Sequence, residues 1–562
     1  MRSDARNPGS GREARSVARR LPALALCASL APAVHAAGVD MAPLIQGSRA
    51  YLDPSALSHG GMEALQSLYA SGSPQWWSRE GQETPQARAL LHELENAESY
   101  GLESQDYRGG EIAQLAAAPA TGGTDAAHWA RFDVRLTSAA LRFIADLHYG
   151  RVTPQSAGFK LQQERGPFDM GEMLRKLAAT ADVPADITTA EPPFYHYGLL
   201  KTALAQYRKI AAQSSDWKQL PPPPAKLRIG DAYAGAGVLR HMLTALGDLP
   251  EAQADHADEG TFDASLSLGV RNFQSRHGLT EDGLIGKATY AALKARPAQR
   301  VRQIVLTLER WRWLKPFETP PIIVNIPEFE LYAFRTTQDR LGSILAMEVI
   351  VGKTYSGTQT PVFEDEMKYV VLRPYWDVPR SITVREMLPK IRANPRYLAA
   401  QRLELVAGPS DSSPVVPPTP ENIEALAAGR LRVRQMPGED NALGLAKFIF
   451  PNSYNVYLHS TPAHNLFNES VRAFSHGCIR VRDPLALATL VLKDAPGDWT
   501  REKIEATMNG TKTVRVDLTR PITVLILYAT ALATEAGPVL FFDDIYGYDK
   551  KLERQLALPP VS

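Results

Sequence analysis

The sequence predicts a multidomain α+β protein, with helices in its N-terminal half and a mainly-β domain in its C-terminal half. Three observations support this prediction. The chain has 562 residues, enough for three or four domains. Apolar residues recur at three- and four-residue spacing over much of 45–215, which is typical of helices that bury one face. From about residue 300 the chain has short runs rich in β-branched and aromatic residues, separated by turn residues.

The composition excludes several classes of protein. Hydrophobic residues make up 44% and charged residues 22%, close to globular averages, which argues against wholesale disorder and a multi-span membrane protein. The formal net charge of +1 argues against a strongly basic nucleic-acid binder, so no nucleic-acid partner is expected. The chain contains only two cysteines, Cys27 and Cys478, which excludes a disulfide scaffold and a four-cysteine zinc site.

Residues 1–36 have the three-part layout of a secretory signal peptide. Six arginines among the first twenty residues precede an apolar run over 21–34, and small residues then suit cleavage after Ala36. The apolar run is shorter than the ~20 residues that span a bilayer, so a retained anchor is the less favoured alternative. Removal of this segment would leave Cys478 as the only cysteine of the exported chain.

Residues 45–215 are predicted to form a helical domain. The clearest helical spacing covers 89–94, 136–147 and 199–210. The four prolines at 221–224 predict a stiff linker over 216–225.

A small helical domain is predicted at 226–297. Val270 and Phe273 lie on one helical face, Gly278 suits a left-handed residue that ends the helix, and Asp282-Gly283 suits a turn before a further helix at 289–293. This spacing resembles the three-helix type of peptidoglycan-binding domain.

A third domain is predicted at 300–510, with strands at 322–326, 329–334, 344–351, 368–372 and 447–450. Residues 376–440 interrupt the strands with helix formers and prolines, so we expect an insertion that folds over the sheet. The last strand is expected at 522–527, within a C-terminal segment, 511–562, that packs on this domain.

Two segments of this domain contain most of the residue types needed for nucleophilic catalysis: Tyr457-Leu-His459-Ser460, and Ser475-His476-Gly477-Cys478-Ile-Arg480. A free thiol has a pKa near 8.5, so a nucleophilic cysteine needs a nearby base or a positive field. His459 ends a predicted strand at 454–459 with Tyr457 on the same face. Cys478 follows a glycine turn at the start of a second predicted strand, 479–481. Adjacent strands would bring His459 within hydrogen-bonding reach of the thiol.

These motifs resemble the L,D-transpeptidase family with the YkuD type of catalytic domain. The signature of that family is a histidine, a gap, and then Ser/Thr-His-Gly-Cys-x-Arg. The resemblance covers about 300–510 and includes 374–379, 435–438, 441–444 and Lys447-Phe448. With its helical N-terminal domain and binding module, the chain is similar to the large periplasmic members, which have an N-terminal scaffold and a capping subdomain over the active site.

The resemblance implies an acyl transfer between peptidoglycan stems. Cys478 would attack the diaminopimelate carbonyl of a tetrapeptide stem and release D-alanine. The side-chain amine of a second diaminopimelate would then take the acyl group, which makes a 3-3 cross-link. His459 would be the general base and acid, and the N–H groups of Gly477 and Cys478 the oxyanion hole. Ser460 would orient His459 through its carbonyl. His476 would assist, with a role as the base left as an alternative.

The resemblance also implies binding residues and partners. The substrate-binding residues would be Arg480, Ser475, Tyr457 and Trp376. Tetrapeptide stems would be donor and acceptor, peptidoglycan synthases or carboxypeptidases would be partners, and carbapenem β-lactams would acylate the thiol. No cofactor and no metal are expected.

Other interpretations stay open at this point. His459, His464, His476 and Cys478 could bind zinc, although side chains two residues apart at a strand entry diverge. The chain could instead be a non-catalytic wall-binding protein whose function lies in 273–293. Within the enzyme class, the same thioester could pass to a lipoprotein lysine or to water.

Overall fold

The computed structural model describes residues 39–557, with gaps at 71–74, 119–125, 162–164, 167, 215–216, 218–219, 226, 254–259, 338–343 and 536. The predicted signal peptide and Cys27 lie outside the described residues. The described chain has a helical N-terminal region, a small helical domain and a β-rich C-terminal domain, which confirms the predicted multidomain α+β fold class. No helix in the described part of the chain is both long and apolar enough to cross a membrane.

The N-terminal region packs around one long, largely buried helix, Ala126–Tyr149. Asp133 on this helix accepts a hydrogen bond from the backbone N–H of Trp77 at 2.8 Å. Thr137 accepts another from the Trp77 indole at 2.8 Å. The other helices are Met41–Gly47, Pro54–Ser58, Gly61–Tyr69, Pro85–Glu95, Gly109–Ala117, Pro154–Ala157, Met170–Ala179, Val183–Ile187 and Tyr195–Gln213. A small hairpin pairs Ser78–Arg79 with Gln82–Glu83.

The last of these helices belongs to two domains at once. Tyr195–Gln213 packs along the helix Pro297–Arg312, and its Tyr197, Leu204 and Tyr207 lie in the core of the β-rich domain. The predicted boundary at 215 therefore separates helices that share a core. The reason is that the helix is long enough to contact both the helix Pro297–Arg312 and the N-terminal residues Ala97–Tyr100.

The described part of 226–297 has three α-helices around one core: Ala236–Ala245, Ala264–Ser275 and Lys287–Leu293. Buried Gln274 joins the last two, because its amide donates to the carboxylate of Asp282 at 2.8 Å and to the hydroxyl of Thr289 at 3.0 Å. Gly278 has φ +62°, the left-handed conformation expected after the helix end.

The proline-rich stretch before this domain is not a free spacer. Trp217 and Leu220 are buried in the core of the three-helix domain. The Tyr233 hydroxyl donates to the Pro221 carbonyl at 2.7 Å. The prediction of a separate linker at 216–225 is wrong in this respect, because the two apolar side chains that precede the prolines anchor the stretch to the three-helix domain.

Among the residues that the structure describes, nine strands form the main sheet of the β-rich domain: β1 Ile322–Asn325, β2 Glu330–Ala333, β3 Leu345–Gly352, β4 Phe363–Leu372, β5 Ala446–Ile449, β6 Leu458–His459, β7 Ala473–Ser475, β8 Ile479–Val481 and β9 Val514–Leu527. Their spatial order is β7-β3-β8-β6-β5-β4-β9-β1-β2. Because β2 also pairs with β3, the sheet closes into a barrel. Pro484–Val491, Arg501–Met508 and Tyr548–Gln555 are the helices that follow along the chain.

Strand β9 corrects the predicted domain end at residue 510. It pairs with β4 on one side and with β1 on the other, so it is an integral strand of the barrel. A hairpin of Ala531–Ala533 with Val539–Phe541 follows it. The backbone N–H of Phe541 donates to the carbonyl of Arg276 at 2.9 Å, so the C-terminal tail also joins the three-helix domain to the barrel.

The segment between β4 and β5 forms a separate small sheet. Its strands lie in the order Trp376–Asp377, Arg432–Gln435, Leu403–Val406, Val415–Val416. Its helices are Arg380–Ile382, Leu388–Ala393, Arg396–Ala400 and Pro420–Ala427, with a π-helical turn at Thr383–Met387. The segment has its own core around Val378, Ile391 and Val433. Buried Asn441 fastens the two ends of this insertion, because its amide donates to the carbonyls of Pro374 and Met436.

Candidate active site

Three neighbouring strands of the barrel place Lys447, His459 and Arg480 in one row. Lys447 on β5 is the register partner of His459 on β6, and His459 is the partner of Arg480 on β8. Directly paired residues project from the same face of a sheet, so two cations flank the histidine. Cys478 stands in the loop just before β8.

His459 is buried and oriented through its neighbour in sequence. Its Nδ1 donates to the Ser460 carbonyl oxygen at 2.5 Å, which leaves Nε2 as the acceptor of the neutral ring. Burial lowers the pKa of His459 to about 3, and the charges of Arg480 and Lys447 act in the same direction. The ring is therefore neutral at physiological pH, as a general base must be.

Ser460 is held by β5 and by the close approach of Gly444. The Ser460 N–H donates to the Ala446 carbonyl at 2.9 Å. Gly444 has φ +58°, and a Cβ at this position would clash with the side chain of Ser460. Only glycine meets both conditions, which accounts for this residue in the sequence.

The Cys478 thiol is surrounded by groups from the turn before β6. Its Sγ donates to the Asn455 carbonyl at 3.5 Å, and both the main chain and the hydroxyl of Tyr457 hydrogen-bond to it. Burial raises the pKa of the thiol above its ordinary value, while Tyr457, Lys447 and Arg480 act to lower it. The resting site therefore holds a neutral thiol in the loop before β8 and a neutral imidazole on the adjacent strand β6.

The loop that carries Cys478 is fastened from both sides. The Ser475 hydroxyl donates to the Cys478 carbonyl at 2.6 Å and accepts the Gly477 N–H at 3.0 Å. The buried Thr360 hydroxyl donates to the Gly477 carbonyl at 2.9 Å. Gly477 has φ +120°, a conformation that requires glycine.

These bonds correct two sequence-based predictions. The Gly477 N–H is already engaged by Ser475, so it is not free to bind an oxyanion. The Ser475 side chain is buried and makes both of its hydrogen bonds inside the loop, so it acts as a support of the loop rather than as a substrate contact. The hydrogen bonds among the described residues leave the N–H of Cys478 available.

His476 faces the insertion. Its Nε2 lies 3.1 Å from the Glu386 carboxylate, and both side chains are about half exposed. This contact joins the π-helical turn of the insertion to the loop of the thiol. The structure thus gives the two histidines different surroundings, one buried in the row and one at the surface.

Tyr457 and Trp376 join the insertion to the thiol. Trp376 lies on the small sheet of the insertion and hydrogen-bonds to the Tyr457 hydroxyl. The ring centroids of Tyr457 and His459 are 5.7 Å apart, in an edge-on arrangement. The predicted strand at 454–459 is shorter than expected, since only Leu458–His459 is paired. The reason is that the Asn452 side chain accepts backbone N–H groups and bends the chain.

Sequence reasoning assigned no role to Lys447, Glu386, Thr360 or Tyr546. Lys447 stands in a segment quoted for the family resemblance, yet only the strand register places it beside His459. The Tyr546 hydroxyl donates to the Gly352 carbonyl at 2.6 Å, beside Thr360. Such partners lie far apart in sequence and carry no motif that could identify them.

The histidines and the cysteine do not form a metal centre in the part of the chain that the structure describes, where no group of three or more His, Cys, Asp or Glu side chains is arranged to hold an ion.

Comparison with known proteins places all three regions. The family model described as "L,D-transpeptidase catalytic domain", YkuD, matches residues 320–515. Models described as "Scaffold domain" and "Putative peptidoglycan binding domain" match 63–204 and 235–293.

Two relatives extend this comparison. The "Putative L,D-transpeptidase" of Haemophilus influenzae is 33% identical over 252 residues, which are 45% of this chain and 49% of that protein. The "N-acetylmuramoyl-L-alanine amidase CwlM" of Mycobacterium tuberculosis is 44% identical over 73 residues, 12% of this chain and 18% of that protein. The chain thus spans about half the length of the first relative. The family predicted from the motifs is confirmed: this chain joins a YkuD-type L,D-transpeptidase catalytic domain to a peptidoglycan-binding domain and a scaffold domain.

Proposed function

We propose that the chain is a peptidoglycan L,D-transpeptidase that makes 3-3 cross-links, with Cys478 as its nucleophile. The observation that carries the proposal is the placement of a protonated thiol just before β8 and of a buried, neutral His459 on the adjacent strand β6. A thiol with a raised pKa is a weak nucleophile until a base removes its proton, and a neutral imidazole is such a base.

In the first half-reaction, the Cys478 thiol proton passes to Nε2 of His459 as sulfur attacks the diaminopimelate carbonyl of a tetrapeptide stem. The tetrahedral intermediate bears its negative charge on the former carbonyl oxygen, near the Cys478 N–H. Collapse breaks the bond to D-alanine, whose amine takes the proton from Nε2. The product is a thioester. Because burial lowers the pKa of His459 to about 3, its protonated form is a strong acid that returns the proton readily.

In the second half-reaction, the side-chain amine of diaminopimelate on another stem attacks the thioester. His459 removes a proton from that amine, the bond to sulfur breaks, and the thiol recovers its proton. One amide bond replaces another, so no energy source is required. Arg480 lies beside the thiol and is charged, which suits it to a stem carboxylate. Trp376 and Tyr457 provide an aromatic wall for the stem.

The domain organisation supports peptidoglycan as the substrate. A peptidoglycan-binding domain in the same chain would hold the enzyme at the wall, which implies an extracytoplasmic location. With the signal peptide predicted from 1–36, that location would be the periplasm. Synthases or carboxypeptidases that produce tetrapeptide stems are the partners this reaction requires.

The test is muropeptide analysis after incubation of the full chain with disaccharide-tetrapeptide. We expect release of D-alanine and a 3-3 linked dimer. Cys478→Ala should abolish both while the thermal midpoint changes little. A lysine-linked product would indicate lipoprotein attachment instead of cross-linking. Free tripeptide would indicate hydrolysis. Absence of D-alanine release from folded protein would leave only the wall-binding function.

The base is tested by exchanging histidines one at a time. We expect His459→Ala to slow acylation of Cys478 by a carbapenem, followed by intact mass, far more than His476→Ala. The exposed His464 lies outside the row, so His464→Ala is the matched control. A larger loss in His476→Ala than in His459→Ala would reassign the base.

A further inference from the structure

Lys447 is a largely buried cation next to the thiol, and the chemistry described so far does not use it. It stands on β5 as the register partner of His459. Its ammonium lies 4.1 Å from the centroid of the Tyr457 ring, whose hydroxyl hydrogen-bonds to Cys478. The ammonium therefore lies over the face of the ring whose hydroxyl hydrogen-bonds to the thiol.

No carboxylate among the described residues forms a salt bridge with Lys447. A buried ammonium without a paired anion is unfavourable, and burial accordingly lowers the pKa of Lys447. Two groups oppose that effect by stabilising its charge, first Cys478 and then Asp411 of the insertion. The thiol is thus the group that would complement this cation once it loses its proton.

The other charged or titratable groups around Cys478 do not replace this lysine. Arg480, on β8, also favours the thiolate, but Lys447 has the larger effect on the pKa of the thiol. His459 is neutral at physiological pH, and His476 is paired with Glu386 at the surface. Lys447 is the cation on the β5 side of the row, over the ring of Tyr457.

We propose that Lys447 is a positioning residue for the charge on Cys478: its ammonium stabilises the thiolate that forms as the thiol proton moves to His459. The inference rests on the proposed role of Cys478 as the nucleophile. A nearby opposite charge lowers the pKa of an acidic group by roughly 1–3 units. We expect a shift at the small end of that range because the site is partly exposed to solvent. Removal of this charge should therefore raise the apparent pKa of Cys478 by about one unit.

The test is the pH profile of Cys478 alkylation by iodoacetamide in the full chain. Trypsin cuts after Arg472 and Arg480, so the peptide 473–480 reports Cys478 separately from Cys27. We expect Lys447→Met to move the midpoint of the profile up by about one pH unit, and the rate at neutral pH to fall about tenfold. Lys447→Arg should restore most of the wild-type profile. Lys368→Met, an exposed lysine on the neighbouring strand β4, is the matched control and should leave the profile unchanged.

An unchanged midpoint in folded Lys447→Met would overturn the proposal, as would failure of a folded Lys447→Arg to restore it. A second reagent, the anionic iodoacetate, distinguishes stabilisation of the thiolate from attraction of an anionic reagent. If Lys447→Met lowers only the preference for iodoacetate over iodoacetamide, the lysine attracts anions and does not act on the thiolate, which also contradicts the proposal. Alkylation needs no peptidoglycan, so the outcome is independent of whether D-alanine release is observed.

Discussion

Thr360 provides a sharp test of how the nucleophile loop is held. Its side chain is fully buried. Its hydroxyl accepts the Gly352 N–H at 2.9 Å and donates to the Gly477 carbonyl at 2.9 Å, so a single oxygen joins β3 to the residue before Cys478. Thr360→Val keeps the shape of the side chain and removes both bonds.

The expected loss follows from those two partners. Each buried backbone group left without a hydrogen bond costs about 1–3 kcal/mol. After partial relaxation we expect a loss of about 2–4 kcal/mol in the free energy of unfolding. For a domain of this size that corresponds to a fall of roughly 4–16 °C in the thermal midpoint. A displaced loop should also slow acylation of Cys478 by at least about tenfold, because small displacements of reacting atoms reduce rates strongly.

The measurement is the thermal midpoint by scanning fluorimetry, together with the rate of D-alanine release. Thr358→Val is the matched control, since Thr358 lies in the same loop and its hydroxyl bonds only to the carbonyls of Lys353 and Tyr355 near the surface. Equal midpoints in the two variants would refute the reasoning, whatever the activity. A lower midpoint with an unchanged rate would limit the role of Thr360 to stability.

Three further perturbations address other parts of the molecule. Glu386→Gln should change the acylation rate by no more than about fivefold, because an exposed side-chain contact such as that with His476 is worth at most about 1 kcal/mol. Burial raises the pKa of Glu328 to about 7 from its ordinary 4.5, so its contribution to stability is full below pH 4.5 and is lost as the pH rises to about 7. Glu328→Gln should therefore gain stability relative to wild type between pH 5 and pH 8, measured by denaturant midpoints. Arg276→Met leaves Asp248 buried and unpaired and should lower the free energy of unfolding by about 3–5 kcal/mol, measured by chemical denaturation.

Each of these predictions has a control on the same element or domain. Glu424→Gln removes another exposed ion pair of the insertion, Glu366→Gln removes an exposed carboxylate of β4, and Arg271→Met removes an exposed arginine of the three-helix domain. A hundredfold rate loss in Glu386→Gln would contradict the first prediction. A pH-independent stability difference in Glu328→Gln would contradict the second. Equal stability of the two arginine variants would contradict the third.

The buried pair of Arg276 and Asp248 also affects how the peptidoglycan-binding domain should be studied. Arg276 donates to Asp248 at 2.5 Å and to the Val539 carbonyl of the C-terminal hairpin at 3.2 Å. Deletion of 226–297 would expose that hairpin and Tyr207. Substitutions of exposed residues within the domain separate wall binding from stability better than deletion does.

The sequence by itself determined the fold class, the catalytic family and the residue types of the site. Helical spacing and short β-rich runs are local patterns, so they predicted the helical and β-rich halves of the chain. The motif around Cys478 also lies within a few residues, and its glycine and histidines could be interpreted chemically from the sequence. The conformation of Gly477, at φ +120°, agrees with the need for glycine there.

Only the tertiary structure decided which partners each of these groups has. The register between β5, β6 and β8 places Lys447 and Arg480 on either side of His459, and a shift of one residue would turn them to the other face. The support that Thr360 gives to the Gly477 carbonyl joins residues more than 100 positions apart in sequence. Such contacts follow from the closure of the barrel and the packing of whole domains. Local sequence patterns do not specify them, because cross-strand pairing is a long-range choice among many alternatives.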